Sequence, residues 1–209
     1  KRPTAGAFKV FSEWFRLQHA QRPQGRDEEA WKRRNFELRE LILLQKITAA
    51  KETVDMIRLG ISMFGGHGII EDFSSLPRLL RDAMVNELWE GPKNVLLAQI
   101  YRDLQRASTW YPPREFVGNL LRGRPQEEKE ALTHQLEACL AAETLTGEPT
   151  GETIQLARNW ETVCEQLFIA YQKQALAEIP DAPLVKPERL HKLEQTPSLN
   201  QLFEGVTRP

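Results

Sequence analysis

An all-α fold is predicted for this 209-residue chain by three features of its sequence. Apolar side chains recur at alternating steps of four and three along two long segments. No segment alternates apolar and polar residues as a half-buried strand does, and prolines and glycines gather at a few points that cut the chain into helix-length pieces. The chain is long enough to bury a substantial core, and the lack of a fixed internal period excludes a solenoid.

The elements follow in order. Phe8, Val10, Phe11, Trp14, Phe15 and Leu17 belong to a first helix, Phe8 to His19, and a polar connector containing Pro23 and Gly25 ends it. From Asp27, an N-cap candidate with Glu28 and Glu29 in the first turn, the sequence runs without proline to Phe64 and predicts one long helix. Its stripe is Leu43, Ile47, Ala50, Val54, Ile57, Ile61 and Phe64, and its opposite face carries Lys46, Lys51, Glu52 and Arg58. Gly65, Gly66 and Gly68 stop that helix, because glycine costs about 1 kcal/mol in a helix interior and takes positive φ readily. A second helix resumes after Pro77 and runs to about Trp89. Gly91-Pro92 then interrupts, with Pro92 suited to a first helical turn, so Glu90 falls at a helix junction.

Leu97, Ile100, Tyr101 and Leu104 give the next helix a buried stripe, and Tyr111-Pro112-Pro113 closes the region. Beyond a boundary near 107–114, Gln126 to Leu145 and Thr150 to about Ile179 predict a helical hairpin around Gly147, Pro149 and Gly151. Leu156, Trp160, Val163, Leu167 and Ala170 repeat the four-three pattern there. The last residues, with several prolines and only short apolar groups such as Leu190, Leu193, Leu199, Leu202 and Phe203, predict a mostly extended tail with brief helices. The expected organisation is therefore a bundle over 1–106, an added hairpin over 107–179 and a tail over 180–209.

Lys and Arg total 28 against 29 for Asp and Glu, a net charge of −1 that supplies no drive toward nucleic acid or an anionic membrane. No apolar run approaches the roughly 18 residues of a membrane span. Cys139 and Cys164 both lie among periodic apolar residues and are expected as buried reduced thiols, which suits a cytoplasmic location. The chain starts with Lys1 just ahead of the first helix, so it reads as a fragment of a longer protein.

Chemistry concentrates in MFGGHGIIEDFSSLPRLLRDAMVNELWEGPKNV, which holds a glycine turn, an Arg-Asp pair and a junction carboxylate. A glycine turn lets a ligand approach the backbone closely, and it serves equally as a tight helix connection. It is neither a phosphate-binding loop with GK[ST] nor a dinucleotide fingerprint, since no strand precedes it.

At these residues the chain resembles the acyl-CoA dehydrogenase family, which carries GGxGY, an acidic residue, Pro-x-x-x-Arg-Asp and then Tyr or Trp-Glu-Gly-Thr at similar spacing. The matching pieces are Gly65, Gly66 and Gly68, then Glu71 and Asp72, Arg81 and Asp82, and Trp89-Glu90-Gly91. The helix containing Lys46, Ala49 and Ala50 looks like the one that leads into the glycine turn, so the resemblance covers roughly residues 30 to 106. It implies the C-terminal helical part of an FAD-dependent enzyme that desaturates an acyl-CoA thioester in fatty acid metabolism. Glu90 would be the base that takes the α proton, in a water-poor pocket that raises its pKa, while the β carbon gives hydride to the flavin. The backbone N–H of Glu90 would help bind the thioester carbonyl, and Trp89 and Gly91 would line the acyl pocket. Gly65 and Gly66 would reach the FAD of a neighbouring subunit, and Asn94 would stand near the cofactor.

The implied partners are an acyl-CoA thioester, an electron-transfer flavoprotein or similar acceptor, and further copies in a dimer or tetramer; no metal site is implied. Three residues depart from the pattern. Ser62 stands where a Gln is frequent, Pro92 replaces the Thr after Glu-Gly, and His67 replaces the Tyr of the glycine element. The family's N-terminal helical and middle β domains are not found in this chain, so alone it is expected to be catalytically incomplete. Residues after 107 resemble the longer C-terminal helices of the AidB-like branch, in which DNA association has been proposed, although no basic stripe supports it here. Two alternatives accompany the dehydrogenase reading, a non-catalytic helical module for oligomerisation or partner binding, and an AidB-like flavoprotein that associates with DNA.

Overall fold

Each helix of the chain starts and stops where backbone chemistry sets a boundary. The structure is a computed structural model that describes residues 1–20, 25, 27–142, 145 and 148–179, and among these there are seven α-helices, one 3-10 helix and no strand. Helix α1 (Arg2–His19) has a proline in its first turn, and α2 (Asp27–Met63) opens with Asp27, Glu28 and Glu29 against the positive end of its dipole. Gly25, at φ 75°, turns the chain into α2, and its carbonyl accepts the Glu28 N–H at 3.1 Å. A short 3-10 helix (Gly65–Ile69), the glycine turn, leads to α3 (Leu76–Leu88) and α4 (Lys93–Ala107).

Next come α5 (Pro113–Leu120), α6 (Gln126–Leu140) and α7 (Gly151–Ala177). A capping box in which Thr150 and Thr153 satisfy each other's backbone N–H groups starts α7. Helix α5 was not expected: Pro113 sits in its first turn and so begins a helix rather than only closing a region. Helix α6 ends five residues earlier than expected, because Tyr101 Oη lies 3.0 Å and 2.7 Å from the Cys139 and Ala142 carbonyls and Gln105 Nε2 donates to Ala142 O at 2.8 Å, satisfying the orphan carbonyls at its end. The expected tail over 180–209 and Gly147 of the hairpin turn lie outside the described residues.

Residues Lys1–Glu178 form one compact unit whose core is built by α1, the first half of α2, and α4 to α7. Trp160 is at its centre, fully buried, with Nε1–H donated to Leu97 O at 2.9 Å and its ring edge-on to Tyr101 at 5.1 Å. Leu97, Ile100, Tyr101 and Leu104 are all buried, as are Val163, Leu167 and Ala170, while Leu156 packs at the core's margin. Cys139 and Cys164 are free and buried, as expected. A polar seam also crosses the core. Arg34 pairs with Glu13 and Glu37, Tyr111 donates its hydroxyl to Glu37, Asn119 donates to Tyr111 Oη at 2.9 Å, and Tyr171 donates to Glu13 at 3.1 Å.

The second half of α2 leaves this core. Helix α2 has 37 residues, about 55 Å at 1.5 Å per residue, and beyond Leu44 only Ala50 and Val54 are buried. The glycine turn and α3 pack back along that half, where Ile57 and Ile61 are half-buried and Phe64 is 53% exposed, while Leu43 and Ile47 are half-buried against the main core. Large apolar side chains stay open on this arm, with Met63 80% and Leu88 69% exposed. No helix among the described residues is long and apolar enough to cross a membrane.

Candidate active site at the α3–α4 junction

Helix α3 stops because its last turn is followed by a proline three residues after Trp89, and the chain must reverse between Leu88 and Lys93. Trp89 leaves the helix at φ −60°, ψ 139°, with its N–H still bonded to Val85 O at 2.9 Å. Glu90 then takes φ 60° and Gly91 φ 108°. Glu90 is the one non-glycine residue with positive φ among the described residues, in a conformation that costs an L-residue about 1–2 kcal/mol. Gly91 N–H reaches back to Leu88 O at 3.3 Å. Pro92 is the N-cap of α4, one place before the expected first turn, and its carbonyl accepts Val95 and Leu96 N–H at 2.9 and 3.1 Å.

The junction is tied to the rest of the bundle by side chains. Lys46 of α2 donates to Gly91 O at 2.8 Å, Lys93 pairs with Glu161 of α7 at 2.6 Å, and Leu96 lies under Gly91 so closely that a Cβ there would sit 3.2 Å from its Cδ2. Gly91 is therefore required by its φ, and a Cβ there would also make the Leu96 side chain give by a few tenths of an ångström. Glu90, Asn94 and Trp89, the last of them 66% exposed, are all solvent-exposed. The junction thus brings together Trp89, Glu90, Gly91 and Asn94.

Gly65 and Gly66 lie elsewhere. At the end of α2, Phe64 N–H bonds to Ile61 O at 3.1 Å and Gly65 takes φ 57°, which folds the turn back on the helix. Gly68 packs so tightly that a Cβ would be 2.3 Å from Ile61 O, whereas nothing lies within 4 Å of a Cβ placed on Gly65 or Gly66. Their backbone is bare and exposed. Ser62 spends its hydroxyl on Arg58 O at 3.0 Å, His67 is turned to Phe73 with ring centres 5.3 Å apart, and Arg81 pairs with Glu71 at 2.5 Å on the surface. The turn lies nineteen residues along α2 from Lys46, which touches the junction, about 28 Å of helix at 1.5 Å per residue.

Lys46 escaped the sequence reading, which placed it on the outer face of α2. A single-helix pattern holds no signal for a bond to a carbonyl 45 residues away. A separate cavity of about 140 Å³ between α1, α2, α4 and α7 is lined by Leu44, Leu97, Cys164, Phe168 and Gln172 and does not include Glu90.

Three comparisons bear on this geometry. Residues 25–105, which contain all six candidate site residues, match the family described as acyl-CoA dehydrogenase, C-terminal domain. A 65-residue stretch is 46% identical to acyl-CoA dehydrogenase family member 11 of Caenorhabditis elegans, covering 31% of this chain and 10% of that protein. The solved structure titled Bd2924 apo-form superposes with a TM-score of 0.62 at 23% identity, over 84% of this chain and 30% of that one. The chain thus spans only a fraction of the length of the proteins it is similar to.

Proposed function

We propose, from the match of residues 25–105 to the acyl-CoA dehydrogenase C-terminal domain family, that this chain is the C-terminal part of a flavin-dependent acyl-CoA dehydrogenase with Glu90 as its proton-abstracting base. The observation that carries the reading is the backbone at Glu90. The carboxylate stands at a helix junction in a left-handed conformation, braced from α2 and α7, and strained residues of that kind collect at functional sites.

Each residue of the junction then has a task. The Glu90 carboxylate, once the remaining domains of the protein cover it and exclude water, accepts the α proton of the thioester. Its backbone N–H, aimed by the positive φ, donates to the thioester carbonyl and stabilises the developing negative charge. Trp89, with an exposed ring, and Gly91 border the acyl chain. FAD, when bound, supplies the hydride acceptor for the β carbon. Gly65 and Gly66 fit a role in holding it, since their bare backbone admits a close approach, and Asn94, exposed in the first turn of α4, offers an amide. The glycine turn lies about 28 Å of helix beyond Lys46, which fits a turn that reaches the flavin of a neighbouring copy in a dimer or tetramer.

The test uses the full protein with its upstream domains, comparing wild type with Glu90→Gln for flavin absorbance and for bleaching by a panel of acyl-CoA thioesters. Bleaching by wild type, and flavin retained without bleaching in Glu90→Gln, is the expected result. No bleaching of wild type by any thioester overturns the dehydrogenase reading and leaves a non-catalytic module.

A further inference from the structure

We infer that Lys46 is a positioning residue, an ammonium that clamps the Gly91 carbonyl and so holds Glu90 in its productive backbone conformation; this inference rests on the dehydrogenase reading of Glu90. Its ground is the juxtaposition of one side chain with one carbonyl. Lys46 is half-buried in the middle of α2 and gives its hydrogen bond, at 2.8 Å, to a neutral backbone oxygen across the helix pair. Asp55 and Glu87 border the same groove, and Asp55 is held by Lys51 at 2.5 Å and Arg58 at 3.6 Å.

The bond acts where the backbone has most to gain by relaxing. Two successive residues, Glu90 at φ 60° and Gly91 at φ 108°, lie on the left-handed side, and only the second is a glycine. Gly91 N–H is held by Leu88 O at 3.3 Å, a long bond, while its carbonyl is held by a charge-assisted one. Removing the ammonium frees the Gly91–Pro92 peptide plane to rotate, and Glu90 then escapes to negative φ, which redirects its N–H and its carboxylate together. A displacement of about 1 Å in a reacting group is enough to lose about a hundredfold in rate.

The experiment compares wild type, Lys46→Met, which keeps the stem and removes the donor, and Lys46→Arg, which keeps a donor, in the full flavin-loaded protein. In Lys46→Met the rate constant of bleaching is expected to fall about 10–100-fold, with KM for the thioester within twofold of wild type and with flavin content retained. Lys46→Arg recovers at least part of the rate. Hydrogen exchange of the Glu90–Val95 amides supplies a readout independent of activity and is expected to quicken at least tenfold in Lys46→Met. Unchanged exchange overturns the clamp. Faster exchange with an unaltered bleaching rate overturns the positioning role, as does a loss confined to stability and flavin content with normal bleaching per bound flavin. If wild type does not bleach yet the exchange quickens on substitution, the dehydrogenase reading fails while the clamp stands.

Discussion

Glu40 faces inward from α2 with 1% of its surface exposed and neither carboxylate oxygen hydrogen-bonded to a described residue. Burial, reinforced by the negative charge of Asp103 and opposed by Arg39, pushes its pKa up to about 8. A carboxyl raised this far above its unfolded value stabilises the fold fully below pH 4.5. That contribution is lost progressively as pH rises toward 8, because over this range the folded state holds a proton that the unfolded state has released. Glu40→Gln removes the titration. Its unfolding free energy should be flatter than that of wild type between pH 5 and 8 and higher by about 4 kcal/mol at pH 8, as read by urea denaturation at a series of pH values. Parallel profiles for the two proteins would sink the assignment. At the junction, Glu90→Gly should leave the melting temperature unchanged or raised, since it relieves a left-handed L-residue, whereas Gly91→Ala should cost about 1–3 kcal/mol through φ and the Leu96 contact. Thermal melts of the two variants check the contrast.

The elements show what linear pattern can and cannot deliver. Helices α2, α3, α4 and α7 were legible because their periodic apolar residues are bounded by Gly65, Pro77, Gly91-Pro92 and Thr150, each acting through local backbone chemistry. Helix α5 was not, because Pro112 and Pro113 read as a terminus while the apolar quartet Phe116, Val117, Leu120 and Leu121, all buried, spans little more than one turn. The candidate residues of the junction were legible from their motif, but the bracing of that junction was not: Lys46 meets Gly91 only after α2 and α3 pack. Nor does composition announce that Glu37 and Glu40 are interior, since charge alone reads as surface. The glycine turn divides into two jobs that substitution can separate. Gly68→Ala should destabilise the turn, since its Cβ would strike the Ile61 carbonyl at 2.3 Å. Gly66→Ala meets open space and should leave the fold intact, so flavin lost from the full protein on Gly66→Ala, with helicity and melting temperature preserved, would mark a contact to the cofactor. Flavin retained by Gly66→Ala would remove that glycine from the site.

For the molecule as a whole, the apolar groups left open on the α2–α3 arm point outward from a core that is complete without them. Met63→Lys and Leu88→Lys should each shift the intrinsic stability of that core by less than about 0.5 kcal/mol. In the full protein, the same substitutions should lower the assembled mass seen by sedimentation or release flavin, if this arm is where copies or domains meet. Unaltered mass and flavin content would show that the face stays open. The arm also has a mechanical aspect. The glycine turn is the free end of a cantilever, rooted in the bundle near Leu44 and reaching about 28 Å beyond Lys46. A tilt of only about 5° at the root moves its tip by about 2.5 Å, close to the difference between touching a ligand and missing it. Small repacking around Leu41 and Leu44, deep in the core, would thereby be geared up at a distant surface.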